Sequence, residues 1–205
     1  TNGRWRSVDS NADVEIWVEV ENEHCLVGVR LSDRTMRHRT YKVQHIEASL
    51  RPTVAHAMVL LTRPRYDDVF CDPMCGAGTI LIERGEAGKY QLLLGGDKNP
   101  EAVAAAKTNI GPRYKPILIQ LWDATCLPLD AGSVSAMAVN PPFGRKIGTQ
   151  EEIAELYPAF LREASRVLRV GGRLVVLTDQ GRLLSQTLAE LPFVSQEAIP
   201  IRLLG

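Results

Sequence analysis

The sequence predicts an α/β fold: a doubly wound, mostly parallel sheet, preceded by a separate β-hairpin. Three observations predict it. From residue 67 onward, short apolar runs alternate with amphipathic helical stretches. The short runs place apolar residues at consecutive positions, as strands buried on both faces do. Before residue 33, apolar and polar residues instead alternate one by one, the period of a strand with one wet face.

The elements follow in order. "VEIWVEV" (14–20) sets Val14, Ile16, Val18 and Val20 against Glu15, Trp17 and Glu19. "ENEH" turns the chain, and "CLVGVRLS" (25–32) alternates again, completing a hairpin. A lone hairpin is not stable in water, so this one reads as the closing part of a domain that begins upstream of Thr1. The stretch 34–49 reads as a basic linker; Arg34, Arg37, His38, Arg39 and Lys42 leave little that forms a core. Cations between two domains suit phosphate contacts, with Arg37, Arg39 and Lys42 the candidates for touching RNA. "LRPTVAHAMVLLTRP" (50–64) predicts a helix, with Pro52 in its first turn and "RP" as its stop. Strands are expected at 67–72, 91–97, 116–121, 135–140 and 172–179. Helices are expected at about 78–87, 99–110, 150–168 and 181–190. "FVSQEAIPIRLL" (193–204) is consistent with one more strand, with Pro200 restricting it to an edge.

Bulk properties bound the function class. The chain has 205 residues, 45% apolar and 23% charged, with 24 residues of each sign. Net charge therefore neither announces nor excludes nucleic acid, for which a local patch suffices. Cys25, Cys71, Cys75 and Cys126 form no CxxC pair and have no histidine cluster beside them. They read as free thiols of a reducing, cytoplasmic compartment, with no metal site. No apolar run approaches membrane-spanning length, so no membrane association is expected. The expected state is a monomer. The chain opens at Thr1 and stops after "AIPIRLLG", as a piece of a longer protein would.

In a doubly wound sheet the ligand lies outside the carboxyl ends of the strands. The first of those ends reads "CDPMCGAGTI" (71–80). Gly76 and Gly78 allow a tight turn and close approach of a ligand to the backbone. By itself this G-x-G is a weak signal, equally suited to a plain strand-to-helix turn. Asp97 ends the second strand about 20 residues further on, the spacing at which an acid accepts from ribose hydroxyls. It equally suits the start of the helix at Asn99–Pro100. Asp123 ends the third strand, where a carboxylate accepts from the amine of an adenine. Asp72 repels a pyrophosphate and attracts a cation. A sulfonium and an ammonium in one adenosyl ligand, S-adenosylmethionine, fit this set of acids. Cys75, Thr79 and Ala124 adjoin these groups and join the expected cofactor site.

The fourth strand ends in "NPPFG" (140–144). Residues before proline avoid the helical region, so Asn140 and Pro141 are held extended. Pro141 and Pro142 lack N–H groups. The corner therefore presents acceptors, the Asn140 side-chain oxygen and a main-chain carbonyl, that of Pro141. Phe143 adds a flat face. Two acceptors and a ring suit a planar base with an exocyclic amine, stacked and hydrogen-bonded. Such bonds draw the nitrogen out of planarity and free its lone pair for attack on a methyl donor. Asn140, Pro141 and Phe143 are the expected catalytic residues, and Asn140 also borders the cofactor. A paired base must first leave its stack.

"DPMCGAGT" with "NPPFG" resembles the amino-methyltransferases that act on nucleobases. With "DPMCGAGTILIE", "NPPFGRKIG" and "ASLRPTVAHAMVLL", the chain more narrowly resembles the RNA guanine-N2 methyltransferases that carry an N-terminal THUMP RNA-binding domain. The resemblance covers roughly residues 13–180. It implies a Rossmann-like class I methyltransferase domain over 50–205, incomplete at its C-terminal end. It also implies that 1–33 is the closing hairpin of a truncated THUMP-like domain. It assigns Asp72, Gly76 and Gly78 to S-adenosylmethionine, Asp97 to the ribose, Asp123 to the adenine and Asn140, Pro141 and Phe143 to catalysis. Thr53, at the helix entry, would help wall the pocket. The implied activity is methyl transfer to guanine N2, with tRNA as the partner. The motif reads an amine and not a base, so ribosomal RNA guanine-N2 and adenine-N6 transfer stay open. An NAD-dependent oxidoreductase explains Gly76, Gly78 and Asp97 but leaves Asp123 and the proline corner without a role. A non-catalytic RNA-binding module leaves Asp72, Asp97 and Asn140 without one.

Overall fold

The structure, a computed structural model, describes residues 14–30, 39, 41, 43–44, 50–144, 149–194 and 196–201. It divides into two compact units, Thr1–Arg39 and Thr40–Gly205.

The first unit holds the hairpin. β1 (Glu15–Glu21) pairs antiparallel with β2 (His24–Arg30) across a tight turn in which Asn22 takes φ 54°. Ile16 faces Val29, Val18 faces Val27 and Val20 faces Cys25, so the alternation does gather one apolar face. That face is not buried in this chain: Ile16, Val18 and Val20 remain 62%, 61% and 69% exposed. The pattern fixed the register, but the expected cover is not among the described residues.

The second unit contains α1 (Pro52–Leu61), β3 (Val69–Asp72), α2 (Thr79–Glu86), β4 (Leu92–Asp97), α3 (Pro100–Ile110), β5 (Ile117–Leu121), β6 (Val134–Val139), α4 (Gln150–Val167), β7 (Leu168–Val176) and α5 (Gly181–Ala189). The sheet order is β5-β4-β3-β6-β7, every neighbouring pair parallel. The direction of winding reverses between β3 and β6. That reversal opens a crevice at the carboxyl ends of these two strands.

Successive strand residues serve opposite layers. Phe70, Leu93, Ala136 and Ala138 join one core with residues of α1, α2 and α3, including Val59, Leu81 and Ile110. Their neighbours Cys71, Leu94, Met137 and Val139 join a second core with Phe160, Leu161 and Ala164 of α4. Covering both faces is what makes the strand sequences continuously apolar.

Local chemistry fixes the helix starts. Pro52 and Pro100 sit in first turns, where a missing N–H is harmless. Asn99 caps α3 by accepting from Glu101 N–H. Thr149 and Glu152 form a reciprocal capping box on α4.

Two expectations are corrected. β7 begins at Leu168 rather than 172, directly after α4. Its first pairing, Val134 with Leu168, is followed by a register shift to Ala136 with Arg173. Gly171, at φ 76°, lets the intervening residues loop out. The strand expected over 193–204 does not form in its described part: 193–194 and 196–201 are irregular, and Val194, Ile199 and Ile201 are exposed. Pro200 removes a ladder donor there. Residues 202–205 lie outside the described residues.

One residue of the stretch read as linker behaves as core. Tyr41 is 6% exposed, and its hydroxyl donates to Glu83 Oε1 at 2.6 Å. Asn109 on α3 accepts from the Val43 and Gln44 N–H groups and donates to the Gln44 and Ala77 carbonyls. Arg37 and Lys42 lie outside the described residues; Arg39 is half-buried.

Candidate active site

The turn from β3 into α2 is tied to the end of β4. Cys75 N–H donates to the Gly96 carbonyl at 2.8 Å, and Gly76 N–H donates to Asp97 Oδ2 at 3.0 Å. The turn closes on Gly78, which takes φ 81°. A Cβ there would approach Ile110 Cδ1 to 3.1 Å and Ala106 Cβ to 3.3 Å. The left-handed conformation favours glycine at 78, and a Cβ there would also have to push its neighbours aside by a few tenths of an ångström.

Asp97 organises this edge with three oxygens. Oδ2 holds Gly76, Oδ1 accepts from Asn99 N–H at 3.0 Å, and its carbonyl accepts from Trp122 N–H at 3.2 Å. The Trp122 indole then donates to the Pro73 carbonyl at 2.9 Å. The ends of β3, β4 and β5 thus form one hydrogen-bonded rim. Asp97 is not the cap of α3; Asn99 is. Each carboxylate oxygen of Asp97 keeps a second lone pair for an outside donor.

Asp123 stands exposed beyond β5, its Oδ1 accepting from the Thr125 N–H at 2.8 Å and hydroxyl at 2.7 Å. Those two bonds hold its acid strength above that of an ordinary aspartate. Asp72 is the opposite case. It is 1% exposed, and burial first, then the nearby Asp97 charge, push its carboxyl well above the usual range. The Met74 N–H donates to it at 3.3 Å and opposes that shift only in part. A buried acid of this kind gains from a cation placed beside it.

Cys75, Ala124 and Thr79 are buried. The Cys75 thiol belongs to the core and burial pushes it up, so only its backbone faces the rim. Thr79 opens α2. Thr53 is exposed in the first turn of α1.

The proline corner follows β6 at the winding reversal. Asn140 is half-buried, but its Oδ1 is wholly buried and has no hydrogen-bond partner. Such atoms are rare, because an unmade buried bond costs about 1–3 kcal/mol. Pro141 is buried, and Pro142 and Phe143 are half-buried. No pattern in the sequence announces what holds this corner. The Gln180 side chain donates to the Phe143 carbonyl at 3.0 Å. The Tyr157 hydroxyl lies 3.4 Å from the Pro142 carbonyl and 2.7 Å from Thr178 Oγ1. Among the described residues the Pro141 carbonyl stays unengaged. Tyr157, Thr178 and Gln180 come from α4 and the segment after β7, and no spacing in the sequence links them to residue 140.

The edge therefore gathers Asp72, Gly76, Gly78, Thr79, Asp97, Asp123, Asn140, Pro141 and Phe143 along neighbouring strand ends. Among the described residues no cluster of three metal-ligating side chains occurs, and no helix is long and apolar enough to cross a membrane.

Known proteins resemble this chain in sequence and in fold. Residues 39–200 match the family model UPF0020, described as an RMKL-like methyltransferase domain. The bovine tRNA (guanine(6)-N(2))-methyltransferase THUMP3 is 34% identical over 91% of this chain and 39% of the relative. The mouse U6 snRNA (guanine-N(2))-methyltransferase THUMPD2 is 32% identical over 86% of this chain and 32% of its own length. The crystal structure of TrmN from Thermus thermophilus superposes with a TM-score of 0.69 at 29% identity, covering 85% of this chain and 52% of that one. The chain spans about two fifths or less of the curated mammalian relatives it matches. By sequence and by fold, it belongs to the UPF0020 family of methyltransferase domains.

Proposed function

We propose that this chain carries the catalytic unit of an RNA guanine-N2 methyltransferase that uses S-adenosylmethionine, with tRNA as the substrate RNA. The observation that carries the reading is the buried, unpartnered Asn140 Oδ1 at the winding reversal, beside the free Pro141 carbonyl. A site that leaves an acceptor unpaired at this cost is built to receive a donor.

The donor is the exocyclic amine of the base. Asn140 Oδ1 and the Pro141 carbonyl accept its two N–H bonds, and Phe143 offers its ring for stacking. These bonds localise the nitrogen lone pair and orient it. The same oxygens stabilise the positive charge that develops on nitrogen during attack.

The residues fit the cofactor. Asp97 offers its remaining lone pairs to ribose hydroxyls, and Asp123 faces an adenine amine. Asp72 would receive the ammonium of the amino-acid end, which restores its ionised form. When bound, S-adenosylmethionine supplies an electrophilic methyl group. Gly76 and Gly78 keep side chains away from its path. Thr53 and the backbone of Cys75, Thr79 and Ala124 complete the pocket.

The relatives named for tRNA and for U6 snRNA share guanine N2 as the acceptor and differ in the RNA. That contrast supports the nucleobase more strongly than the RNA. The test is mass spectrometry of nucleosides after incubating the protein and labelled S-adenosylmethionine with unmodified tRNA transcripts. N2-methylguanosine is expected. N6-methyladenosine would move the reading to adenine, and no labelled nucleoside in tRNA, U6 or ribosomal RNA would overturn it.

A further inference from the structure

The opposite, amino edge of the sheet carries a groove of about 510 Å³ that the methyl-transfer site does not use. Its walls include Tyr66, Lys89, Tyr90, Arg113, Tyr114 and Lys115. These residues come from the three loops that lead into β3, β4 and β5. No carboxylate lines the groove. Among the described residues, Lys89, Arg113 and Lys115 stand in no ion pair. Of the acids nearby, Asp67 pairs with Arg65 and Asp68 with Arg84; Glu86 accepts from the Tyr114 hydroxyl and keeps its charge, which leaves three cations against one carboxylate. In a chain whose charges balance overall, this is a concentrated positive patch.

The groove is built rather than incidental. Arg84 is fully buried beneath it and donates to the Gly88 and Lys89 carbonyls, both at 3.3 Å. Its guanidinium lies 5.7 Å from the centre of the Tyr90 ring. The loop that carries Lys89 is thereby fixed; Arg84 itself is neutralised by Asp68, so the charge of the patch comes from Lys89, Arg113 and Lys115. Gly85 has room for no side chain, since a Cβ would fall 2.5 Å from the Tyr114 ring. That close approach lets Tyr114 stand as a wall. Tyr66 is 75% exposed, an aromatic face left to solvent beside three cations.

Cations that track a backbone, with an exposed ring for a base, are the chemistry of single-stranded nucleic acid binding. We propose that this groove is a second RNA contact, in which Lys89, Arg113 and Lys115 hold phosphates and Tyr66 stacks an unpaired base. The proposal rests on the RNA-methyltransferase reading for its partner. Strands of 4–6 residues separate the two edges by about 13–20 Å. One folded RNA reaches both.

The test measures binding and transfer separately, using the full chain and an unmodified tRNA transcript with guanosine at position 6. The triple variant K89A/R113A/K115A is expected to bind about tenfold more weakly at about 0.1 M salt, with a salt slope shallower by about two. Its turnover at saturating RNA and its affinity for S-adenosylmethionine stay unchanged. Tyr66→Ala weakens binding severalfold, whereas Tyr66→Phe, which keeps the ring, does not. Because these side chains are exposed or line an open groove, thermal melting of the variants matches the parent. An unchanged affinity and salt slope in the triple variant, or no RNA binding by the parent, overturns the proposal. Binding is read without methyl transfer, so a parent that binds RNA but transfers no methyl counts against the enzymatic reading alone.

Discussion

The Gln180 side-chain amide donates to the Phe143 carbonyl at 3.0 Å, fastening the proline corner to the segment that follows β7. Gln180 also donates its own N–H to Thr178 Oγ1 at 2.8 Å. Thr178 in turn meets the Tyr157 hydroxyl, which burial pushes up to about 12 and so keeps protonated. The brace occupies the Pro142 and Phe143 carbonyls and leaves those of Asn140 and Pro141 without a hydrogen bond among the described residues. Gln180→Met, similar in shape but without the donor, should lower kcat about tenfold, roughly 1.4 kcal/mol, with cofactor affinity unchanged. Gln180→Glu should regain activity as pH falls and its carboxyl gains a proton to donate. A flat pH profile in Gln180→Glu, beside an inactive Gln180→Met, would reduce the residue to packing.

Asn140→Ala removes the unpartnered oxygen itself. Turnover should fall by about 10²–10³, the usual loss for one preorganised polar group at a reacting centre. Affinity for S-adenosylmethionine should survive, because the rim built on Asp97 does not depend on Asn140. Single-turnover kinetics and equilibrium binding separate the two. Equal losses in both would make Asn140 a cofactor ligand first.

The fold was legible because both sheet faces are covered, which writes apolar runs into every strand and an amphipathic stripe into the helices between them. The acids and glycines were legible because they occupy fixed places relative to strand ends. What stayed hidden depends on contacts distant in sequence. Tyr157 and Gln180 reach residues 142 and 143 only because β7 pairs beside β6. Trp122 reaches Pro73 across two strand ends. Tyr41 looked like linker because its partner, Glu83, sits 42 positions away in a helix that no spacing links to it. The hairpin showed the converse: its alternation gathers one apolar face, but that face stays exposed, because a pattern does not name its cover.

Arg84 and Asp68 form a buried pair at 3.0 Å, with side chains 0% and 3% exposed. Asp68 also accepts from the Ser135 hydroxyl at 2.8 Å, which joins β6 to the start of β3. Removing one partner strands the other charge, so Asp68→Ala or Arg84→Ala should each cost about 3–5 kcal/mol. Urea unfolding measures this. Replacing both with apolar residues of similar volume should recover most of the loss. A double variant as unstable as either single one would show that the Ser135 and loop contacts, and not the ion pair, carry the stability.

If Asp72 receives the ammonium of S-adenosylmethionine as proposed, cofactor binding and folding should depend on pH in opposite senses. Burial raises its carboxyl in the free chain, so the folded state holds a proton that the unfolded state releases earlier. The contribution to stability is complete below the ordinary carboxylate range and is lost as pH rises through the raised folded value. The melting temperature of the free chain should fall across that window, and Asp72→Asn should flatten the fall. A bound ammonium lowers the same carboxyl again. S-adenosylmethionine should therefore release a proton on binding, and its affinity should rise with pH until the free carboxyl is ionised. Calorimetry in two buffers of different ionisation enthalpy counts that proton. Uptake instead of release, or no difference between the parent and Asp72→Asn, would remove Asp72 from the amino-acid end of the pocket.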